Sequence, residues 1–421
     1  IGSTITDSVA ATNITFGIPA GNDQTWTNVT VNVPSRGFLV MASAVAVTLA
    51  GTTAINANVQ WTNLTDFTIG ASASINVNAK GCVNTTGSSG FAPNGSNVCT
   101  QAATGAGIDT GGTTGGGGAG HGGAGGRGQY TPANSGGLPY DSATAPVLFG
   151  ASGGGDNGSV VGGTGGGVVR LAISGTFTLN GTITANANNG GSHGGGGSGG
   201  SIYVTAPTVT GTGTFAARGG NGGPGAGSYG GGGGGGRVSL TFNGNLNAYA
   251  PTSATFDVSG GVAYVSPAVA GAKGTVYALD DKGTGPTTDD VVRVFHGFTY
   301  TDTDYSVASW IFDPLATNQY CDSTIGGAAT PSITVPTLTF DGTLNCSGAI
   351  TSFNLISSGA DITMNASSSM TVNGAITLST TANASIGASA TVKSTGSTLT
   401  IAPPGSLTVG ASALVQSAGA M

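Results

Sequence analysis

Paired aspartates are the side chains of this sequence whose type and spacing could do chemistry. Clustered carboxylates bind calcium, or share acid and base roles across a glycosidic bond. An enzyme acting on acidic polysaccharides also needs cations facing the substrate, and only Lys282 and Arg293 lie near these pairs. We therefore interpret most of them as solvated turn residues and assign no catalytic residue. The pairs are Asp280/Asp281, Asp289/Asp290 and Asp302/Asp304, of which the last is kept as a calcium candidate.

The three histidines do not form a metal or catalytic motif. His121 and His193 lie within glycine runs, and His296 lies among aromatic residues. None has a Cys or His partner at a metal-ligand spacing, so we expect structural or incidental roles. No Gly-x-Ser-x-Gly element occurs in a strand–helix context, which argues against a serine nucleophile.

Glycine runs such as YGGGGGGGRVSL, from Tyr229 to Leu240, raise the question of phosphate binding. A dinucleotide fingerprint needs a following helix, and a P-loop needs Gly-Lys-Ser/Thr. No run meets either condition, and GAKGT at 271–275 lacks the Ser or Thr after its lysine. We expect no cofactor other than structural calcium. Arg237, like Arg170 and Lys273, lies beside a predicted strand start and is interpreted as a solvated or carbonyl-bonding repeat residue.

The four cysteines fall into two local pairs, Cys82 with Cys99 and Cys321 with Cys346. Two disulfides, an oxidising compartment and an extracellular or cell-surface location are expected; four buried free thiols are the alternative. Ile1 would then be a processed N-terminus. Asn-x-Ser/Thr glycosylation candidates occur little more often than composition alone gives. They are Asn13, Asn28, Asn63, Asn84, Asn94, Asn157, Asn180, Asn345, Asn365 and Asn383.

The composition favours β-structure and excludes several partners. Only 6% of the residues are charged, 80 are glycine, and all 17 acidic residues are Asp. The absence of Glu and the scarcity of Lys predict little or no α-helix. Ten Lys and Arg residues cannot form a stripe that neutralises nucleic acid. The most apolar run, 37–51, is too short for a membrane-spanning helix and is predicted to be a buried strand.

A repeat of alternating strands and glycine-rich sequence runs through the middle of the chain. Units begin at Gly166 (GGVVRLAISGTFTLNGTITANANNGG), Gly199 (GGSIYVTAPTVTGTGTFAARGGNGG) and Gly235 (GGRVSLTFNGNLNAYA), with a shorter return at Ala272 (AKGTVYAL). TIGASASINVNAKG at 68–81 matches the second strand of these units in pattern. A period of this length predicts stacked units that bury their apolar faces against one another.

The glycine runs have two physical interpretations. Glycine is required where backbones approach so closely that no Cβ fits, as in a bundle of left-handed polyglycine helices. Alternatively, the runs are solvated loops, because ordering so much glycine costs conformational entropy. Their recurrence at one place in every unit favours stacking.

We predict an elongated, all-β, right-handed β-helix-like solenoid in four parts. An N-terminal β-module or cap covers 1–66, and the glycine-rich solenoid covers 67–282. An aromatic and Asp-containing insertion or junction covers 283–330, and short strands typical of β-helix coils cover 331–421.

Two stretches carry a resemblance to known families. GGGSGGSIYVTA, GTFAARGGNGG and GGGGGGGRVSL, within 68–280, resemble the glycine-rich repeats of large secreted microbial surface proteins. STLTIAPPGSLTVGASALV in the C-terminal part is similar to filamentous-haemagglutinin-type and autotransporter β-helix adhesins. The resemblance implies an extracellular, adhesive or filament-forming role and brings no catalytic residue.

The sequence therefore predicts a non-enzymatic surface protein that assembles head to tail with further copies, because strands at the ends of a solenoid leave edges that can pair. The N-terminal segment with Ile5, Val9, Ile14 and Phe16 is the candidate for strand donation, and a locally folded first strand is the alternative. Glycans and neighbouring cell surfaces are further expected partners. A glycan- or receptor-binding adhesin tip and a polysaccharide-degrading β-helix enzyme remain as other functions.

Overall fold

The structure is a computed structural model whose regular elements are all β-strands. It describes residues 3–6, 13–34, 36–109, 115–129, 135–156, 160–225, 227–243, 256–281, 291–294, 309–312, 319–322, 332–335, 337–340, 343–347, 352–357, 362–364, 369–372, 375–380, 383–395 and 398–419, with backbone alone at 3–6, 280, 379 and 380 and between 282 and 374. No α-helix occurs among these residues, which confirms the all-β prediction. In the same ranges, no helix is long and apolar enough to cross a membrane.

The chain divides into two compact units, Ile1–Thr275 and Val276–Met421. The strands of unit 1 are β1 (Ser3–Thr6), β2 (Ile14–Phe16), β3 (Gln24–Thr27), β4 (Val29–Asn32), β5 (Phe38–Ala42), β6 (Val47–Ala50), β7 (Ala54–Asn56), β8 (Asn58–Leu64), β9 (Phe67–Ile69), β10 (Ser74–Asn76), β11 (Phe91–Pro93), β12 (Cys99–Gln101), β13 (Val168–Ile173), β14 (Thr176–Leu179), β15 (Thr182–Thr184), β16 (Ser201–Thr205), β17 (Thr208–Thr210), β18 (Thr214–Ala216), β19 (Arg237–Phe242) and β20 (Phe256–Asp257).

Unit 1 passes through three parallel sheets in rotation. Sheet 1 has the order β1-β4-β7-β10-β15-β18-β20, sheet 2 contains β2-β5-β8-β13-β16-β19, and sheet 3 has the order β17-β14-β9-β6-β3. Strands that follow one another in a sheet pair parallel. Each circuit of the chain, called a coil below, thus adds strands to successive sheets. A long insertion between β10 and β13 contains the β11–β12 hairpin, which is antiparallel.

The inner faces of these strands form the core of unit 1. Alternate residues along most of the strands with described side chains point inward and are buried, as β-strand geometry requires, and the buried ones are mainly Val, Ile, Leu and Phe. Aromatic rings follow one another through this core. Successive ring centroids lie 5.3 to 6.4 Å apart along the series Trp61, Phe67, Phe177, Phe215 and Phe256. Each coil therefore buries its apolar face against the next.

Asparagine and aspartate side chains connect consecutive coils at their corners. Asn28 Oδ1 accepts the N–H of Thr52 at 2.9 Å, 24 residues on. Across the long insertion Asp66 Oδ1 accepts the N–H of Thr176 at 2.7 Å, 110 residues on. Corner amides have no strand partner, so these side chains complete the pairing of the backbone. The same bond joins Asn13 to Phe38, Asp23 to Ala46, Asn78 to Asn186, Asn186 to Arg218, Asn189 to Asn221, Asn221 to Val262 and Asn383 to Ser406.

The register confirms the sequence repeat. Val169 pairs with Ile202, and Ile202 pairs with Val238, which superposes the three unit starts. The match of 68–81 to the second strands is also confirmed, because β9 and β10 pair with β14 and β15.

The first coils share the three sheets of the glycine-rich coils. Ile5 in β1 pairs with Val31 in β4, and β2, which holds Ile14 and Phe16, pairs with β5. Of the two alternatives for the N-terminal segment, the structure therefore has the locally folded one. Strand donation by these residues would require them to leave pairs they already make. Val9 lies outside the described residues.

Unit 2 repeats the rotation through three sheets. Its strands are β21 (Thr275–Asp280, which starts at the last residue of unit 1), β22 (Val291–Val294), β23 (Ser309–Phe312), β24 (Gln319–Asp322), β25 (Ser332–Val335), β26 (Thr337–Phe340), β27 (Thr343–Ser347), β28 (Ser352–Ser357), β29 (Ile362–Met364), β30 (Ser369–Val372), β31 (Ala375–Thr380), β32 (Ala384–Ile386), β33 (Thr391–Ser394), β34 (Leu399–Ala402), β35 (Leu407–Val409) and β36 (Leu414–Ser417). They form the orders β21-β22-β23-β26-β29-β32-β35, β24-β27-β30-β33-β36 and β25-β28-β31-β34. Apart from the antiparallel pair β21–β22, the strands of unit 2 pair parallel with one another.

Candidate interaction surface on the glycine lattice

Glycine-rich segments outside the strands of unit 1 form one hydrogen-bonded body, here called the glycine lattice. It comprises 115–128, 136–140, 150–155, 162–167, 188–200, 217–223, 230–236, 258–262 and 269–274. Consecutive amides of 230–236 point to different neighbouring segments. The N–H groups of Gly231 and Gly234 are donated to segment 115–128, those of Gly232 and Gly235 to 269–274, and those of Gly233 and Gly236 to 217–220, at 2.7 to 3.0 Å.

This three-residue period is that of an extended helix with three residues per turn and no internal hydrogen bonds. Segments around 230–236 also donate to its carbonyl groups: Gly196, Gly126 and Gly261 donate to Gly231, Gly232 and Gly233. The segment is therefore surrounded by partners. The runs are ordered by cross-segment hydrogen bonds, which is the stacking interpretation rather than the solvated-loop one.

Side chains are excluded from the lattice by the neighbouring backbones. A Cβ built on Gly232, Gly233 or Gly234 would approach carbonyl groups of the next segment to less than 3.0 Å, a separation that real Cβ atoms do not show. The atoms met are backbone atoms, which cannot rotate away. Glycine is therefore required at these positions by close packing.

The segments have a strand end and a free end. Segments 162–167, 230–236 and 269–274 run directly into β13, β19 and β21. Seven residues of such an extended helix span about 20 Å at about 3.1 Å per residue. The opposite ends of the segments are thus held well away from the sheets. Six apolar residues at those ends define a surface that we call the distal rim.

The distal rim is apolar. Five of its residues expose between 43% and 62% of their surface: Val161, Val262, Tyr264, Val265 and Val269. Single exposed apolar residues are common on proteins, but several at the same end of one scaffold are typical of an interaction site. The sixth member, Tyr229, stacks on Tyr264 with ring centroids 5.7 Å apart and an angle of 15°.

A contact between a histidine and an aspartate joins two further segments at the same end. His193 Nδ1 lies 2.9 Å from Asp156 Oδ2, and both side chains are largely buried. Asp156 Oδ1 and His193 Nε2 are buried without a hydrogen-bond partner among the described residues. A buried polar atom left unpaired costs about 1–3 kcal/mol, so this pair fixes the rim at a cost in stability. His193 is therefore more than an incidental residue of a glycine loop.

A second polar cluster lies at the strand end of the lattice. His121 Nδ1 donates to the carbonyl of Gly199 at 2.7 Å, and its Nε2 is 3.4 Å from Asp141 Oδ2. Arg237, which is fully buried, donates from Nε to the carbonyl of Tyr140 at 2.9 Å and from Nη1 to Thr275 Oγ1 at 3.1 Å. Of the two interpretations of Arg237, carbonyl bonding is confirmed and solvation is wrong, because the guanidinium is enclosed.

Burial sets the ionisation of this cluster. Burial raises the pKa of Tyr140 well above its usual range, and the charge of Asp141 adds to the shift. Burial also acts to raise the pKa of Asp141. The hydrogen bond and charge of His121, the amide of Leu148 and the charge of Arg237 outweigh it and lower that pKa below its ordinary value. Asp141 is therefore held as a carboxylate inside the protein.

Ser201, His121 and Asp141 do not form a working nucleophile. Ser201 Oγ donates to the carbonyl of Leu148 at 2.7 Å, which is much closer than His121 Nε2 at 3.5 Å. His121 and Ser201 are both fully buried, so a substrate has no access. A nucleophile needs an oriented base and an accessible position for the reacting atom. The cluster instead connects the lattice to β16 and β19.

One of the two expected disulfides is present among the described side chains, and the other pair of cysteines is described by backbone register. Cys82 and Cys99 form a disulfide, as predicted. Cys321 and Cys346 are direct register partners in the parallel strands β24 and β27. Neighbouring strands lie about 4.8 Å apart, within the Cα separation of a disulfide.

Most of the paired aspartates, including the candidates for binding structural calcium, lie outside the described part of the chain. Asp302, Asp304, Asp289 and Asp290 lie outside the described residues, as does His296. Within the described part, no group of three or more His, Cys, Asp or Glu side chains could hold a metal ion.

The glycosylation candidates are mostly accessible, with one exception. Asn84 is 2% exposed and donates from Nδ2 to the carbonyls of Ser88 and Gly153, so a glycan does not fit there in the folded chain. Asn157, Asn345 and Asn365 are not described in side-chain detail. The exposed candidates are Asn13, Asn28, Asn63, Asn94, Asn180 and Asn383.

The distal rim was not foreseen from the sequence. The signal available was GGVAYVSPAVAGAKG at 260–274, where apolar residues stand between glycine segments without strand-like alternation. No protein-family model, no curated protein and no solved structure matches this chain.

Proposed function

We propose that the protein is a non-enzymatic extracellular surface protein whose distal rim binds a protein on another surface. The scaffold would be a β-solenoid. The rotation of each unit through three sheets, the parallel register and the corner asparagines support that architecture. The exposed Tyr264 and valines at the free end of the lattice are the observation that carries the binding role.

The chemistry of the distal rim favours a protein partner. The cores of protein–protein interfaces are enriched in tyrosine and depleted in charge, and the six rim residues are valine and tyrosine. The charged residues nearest the rim are Asp156, which contacts His193, and the exposed Arg127, whose carbonyl accepts the N–H of Val269 at 3.0 Å. Because the lattice fixes the segments that carry the rim, little conformational entropy would be lost on binding.

The non-enzymatic part of the proposal rests on the enclosed polar clusters. The Ser201–His121–Asp141 group has no access for a substrate. The extracellular location is supported by the Cys82–Cys99 disulfide, which is typical of oxidising compartments.

Binding of the labelled full-length protein to intact cells of the source and of neighbouring species tests this function. Val262→Asp and Tyr264→Asp place charge in the rim and should weaken binding at least tenfold. Leu138→Asp is the matched control, because Leu138 is similarly exposed (48%) but lies outside the rim. Pretreating the cells with protease should remove binding, whereas glycosidase should not.

Three results would contradict the proposal. Binding to none of the cells would remove the adhesive role. An equal loss of cell binding in the Leu138→Asp control would show that the distal rim is not the binding site. Loss after glycosidase, but not after protease, would show that the partner is a glycan.

A second candidate function is self-assembly, which the last described strands favour. Leu407 and Val409 in β35 and Leu414 in β36 are each nearly half exposed, and these strands end their sheets. Strands at a sheet edge present unpaired backbone groups, and a second copy would supply strands of the same polarity. Electron microscopy should then show filaments that Leu407→Lys and Leu414→Lys together disperse. Monomers at high concentration would contradict assembly.

A further inference from the structure

A shallow cleft of about 310 Å³ lies beside the Cys82–Cys99 disulfide, away from the distal rim. One side is formed by the beginning of β5 and the residues near it: Asn13, Arg36 and Phe38. The other side comes from the turn that leads into β12, with Ser96 and Val98. Sites for small ligands are concave and mainly apolar, with a few fixed polar groups.

The floor of the cleft is aromatic and rigid. The rings of Phe38 and Phe149 stack with centroids 5.7 Å apart at an angle of 25°, and Phe149 is 2% exposed. Asn97, which also lines the cleft, fixes the wall to the floor. Its Oδ1 accepts the N–H of Phe149 at 2.7 Å, and its Nδ2 donates to the carbonyl of Val147 at 2.8 Å. The cleft is therefore formed before any ligand arrives.

The charge of the cleft is positive in a protein of net charge −7. Arg36 is exposed, and among the described residues its guanidinium has no ion-pair partner. None of the lining residues is acidic. Arg36 has φ +69°, a left-handed conformation that is costly for a residue other than glycine, and its N–H donates to the carbonyl of Lys80 at 3.2 Å.

We propose that this cleft binds a small ligand that carries one carboxylate on a ring with a flat apolar face. Arg36 would pair with the carboxylate, since a guanidinium matches carboxylate geometry with two parallel N–H donors. The ring face would lie on Phe38 and against Val98, and Ser96 and Asn13 would offer hydrogen-bonding groups to ring substituents. Such a ring occurs both in acidic sugars and in aromatic acids.

Ligand-observed NMR and calorimetry on the full chain test the proposal. The probes are glucuronate and benzoate, each with its uncharged counterpart, glucose and benzyl alcohol. At least one acid should bind, and at least tenfold more tightly than its counterpart. The acid that binds more tightly shows whether the ligand is an acidic sugar or an aromatic acid. Arg36→Gln should weaken binding at least tenfold, whereas Arg170→Gln, an exposed arginine on β13, should leave it unchanged.

The proposal is overturned if neither acid binds, or if the uncharged counterparts bind as well as the acids. It is also overturned if Arg36→Gln binds like the unchanged protein. Arg36 is exposed at the surface, so this variant is expected to fold, and unchanged thermal unfolding provides the check.

Discussion

Replacing Gly233 by alanine is the substitution whose effect follows most directly from the glycine lattice. A Cβ at this position would overlap the carbonyl group of Gly197, and the nearest atoms are all backbone. Gly233 donates its N–H to the carbonyl of Gly220 at 2.8 Å and accepts the N–H of Gly261 at 2.7 Å. The alanine methyl group can fit only if the segments separate, which breaks one or both of these bonds.

The size of the effect follows from these contacts. Overpacking costs about 1–3 kcal/mol, and each buried backbone group that loses its partner costs about 1–3 kcal/mol. We expect Gly233→Ala to lower the free energy of unfolding by about 3–6 kcal/mol, a large share of the about 5–15 kcal/mol typical of a folded protein.

Gly95→Ala is the matched control, because a Cβ there meets nothing within 4 Å. The control should change stability by less than about 1 kcal/mol, with a small gain from the stiffer unfolded chain. Denaturant unfolding followed by circular dichroism measures both variants. If Gly233→Ala unfolds within about 1 kcal/mol of Gly95→Ala, the lattice is not packed as described.

Three further predictions concern the buried polar groups and the disulfides. The folded-state pKa of Asp141 lies below its ordinary value, so its contribution to stability is present above about pH 4 and is lost as pH falls through the lowered pKa. Asp141→Asn should therefore destabilise the protein by about 1–3 kcal/mol at pH 7 and flatten its acid unfolding curve, and an unchanged pH dependence of Tm would contradict this. Asn58 accepts the N–H of Val168 at 2.8 Å, so Asn58→Leu leaves this buried N–H unpaired and should cost about 1–3 kcal/mol in denaturant unfolding. The carbonyl of Lys80, to which Asn58 donates at 3.2 Å, still accepts the N–H of Arg36. An Asn58→Leu variant as stable as the unchanged chain would exclude this role. Peptide mapping without reduction should recover Cys321 linked to Cys346, as their register implies, and a mixed pairing with Cys82 or Cys99 would be incompatible with the structure.

The periodic features of the fold could be predicted from the sequence, because they arise from local patterns. Alternation of buried and exposed residues identified strands such as β13 and β16, and the spacing of the glycine pairs identified the repeat that the register of Val169 with Ile202 confirms. The excess of glycine indicated close backbone approach, and the cross-segment hydrogen bonds agree with it.

The candidate sites could not be predicted, because they depend on contacts distant in sequence. Arg237 and Tyr140 are 97 residues apart, and no local pattern brings them together. Tyr264 is exposed only because the lattice holds its loop at the free end, whereas the aromatic residues that cluster in the sequence lie in 283–330. Asn84 fits the glycosylation pattern, but its burial depends on the distant segment that contains Gly153.

Amide hydrogen exchange in segment 230–236 tests the central claim most directly, namely that the glycine lattice is an ordered, hydrogen-bonded body. Each of these amides is donated to a neighbouring segment at 2.7 to 3.1 Å. We predict that the amides of Gly230 to Gly236 exchange as slowly as those of β16 and β19. In an ordered lattice, the hydrogen bonds of both regions would break only when the fold as a whole opens. Exchange at the rate of an unstructured glycine chain, while β16 and β19 stay protected, would contradict the lattice and the fixed distal rim that depends on it.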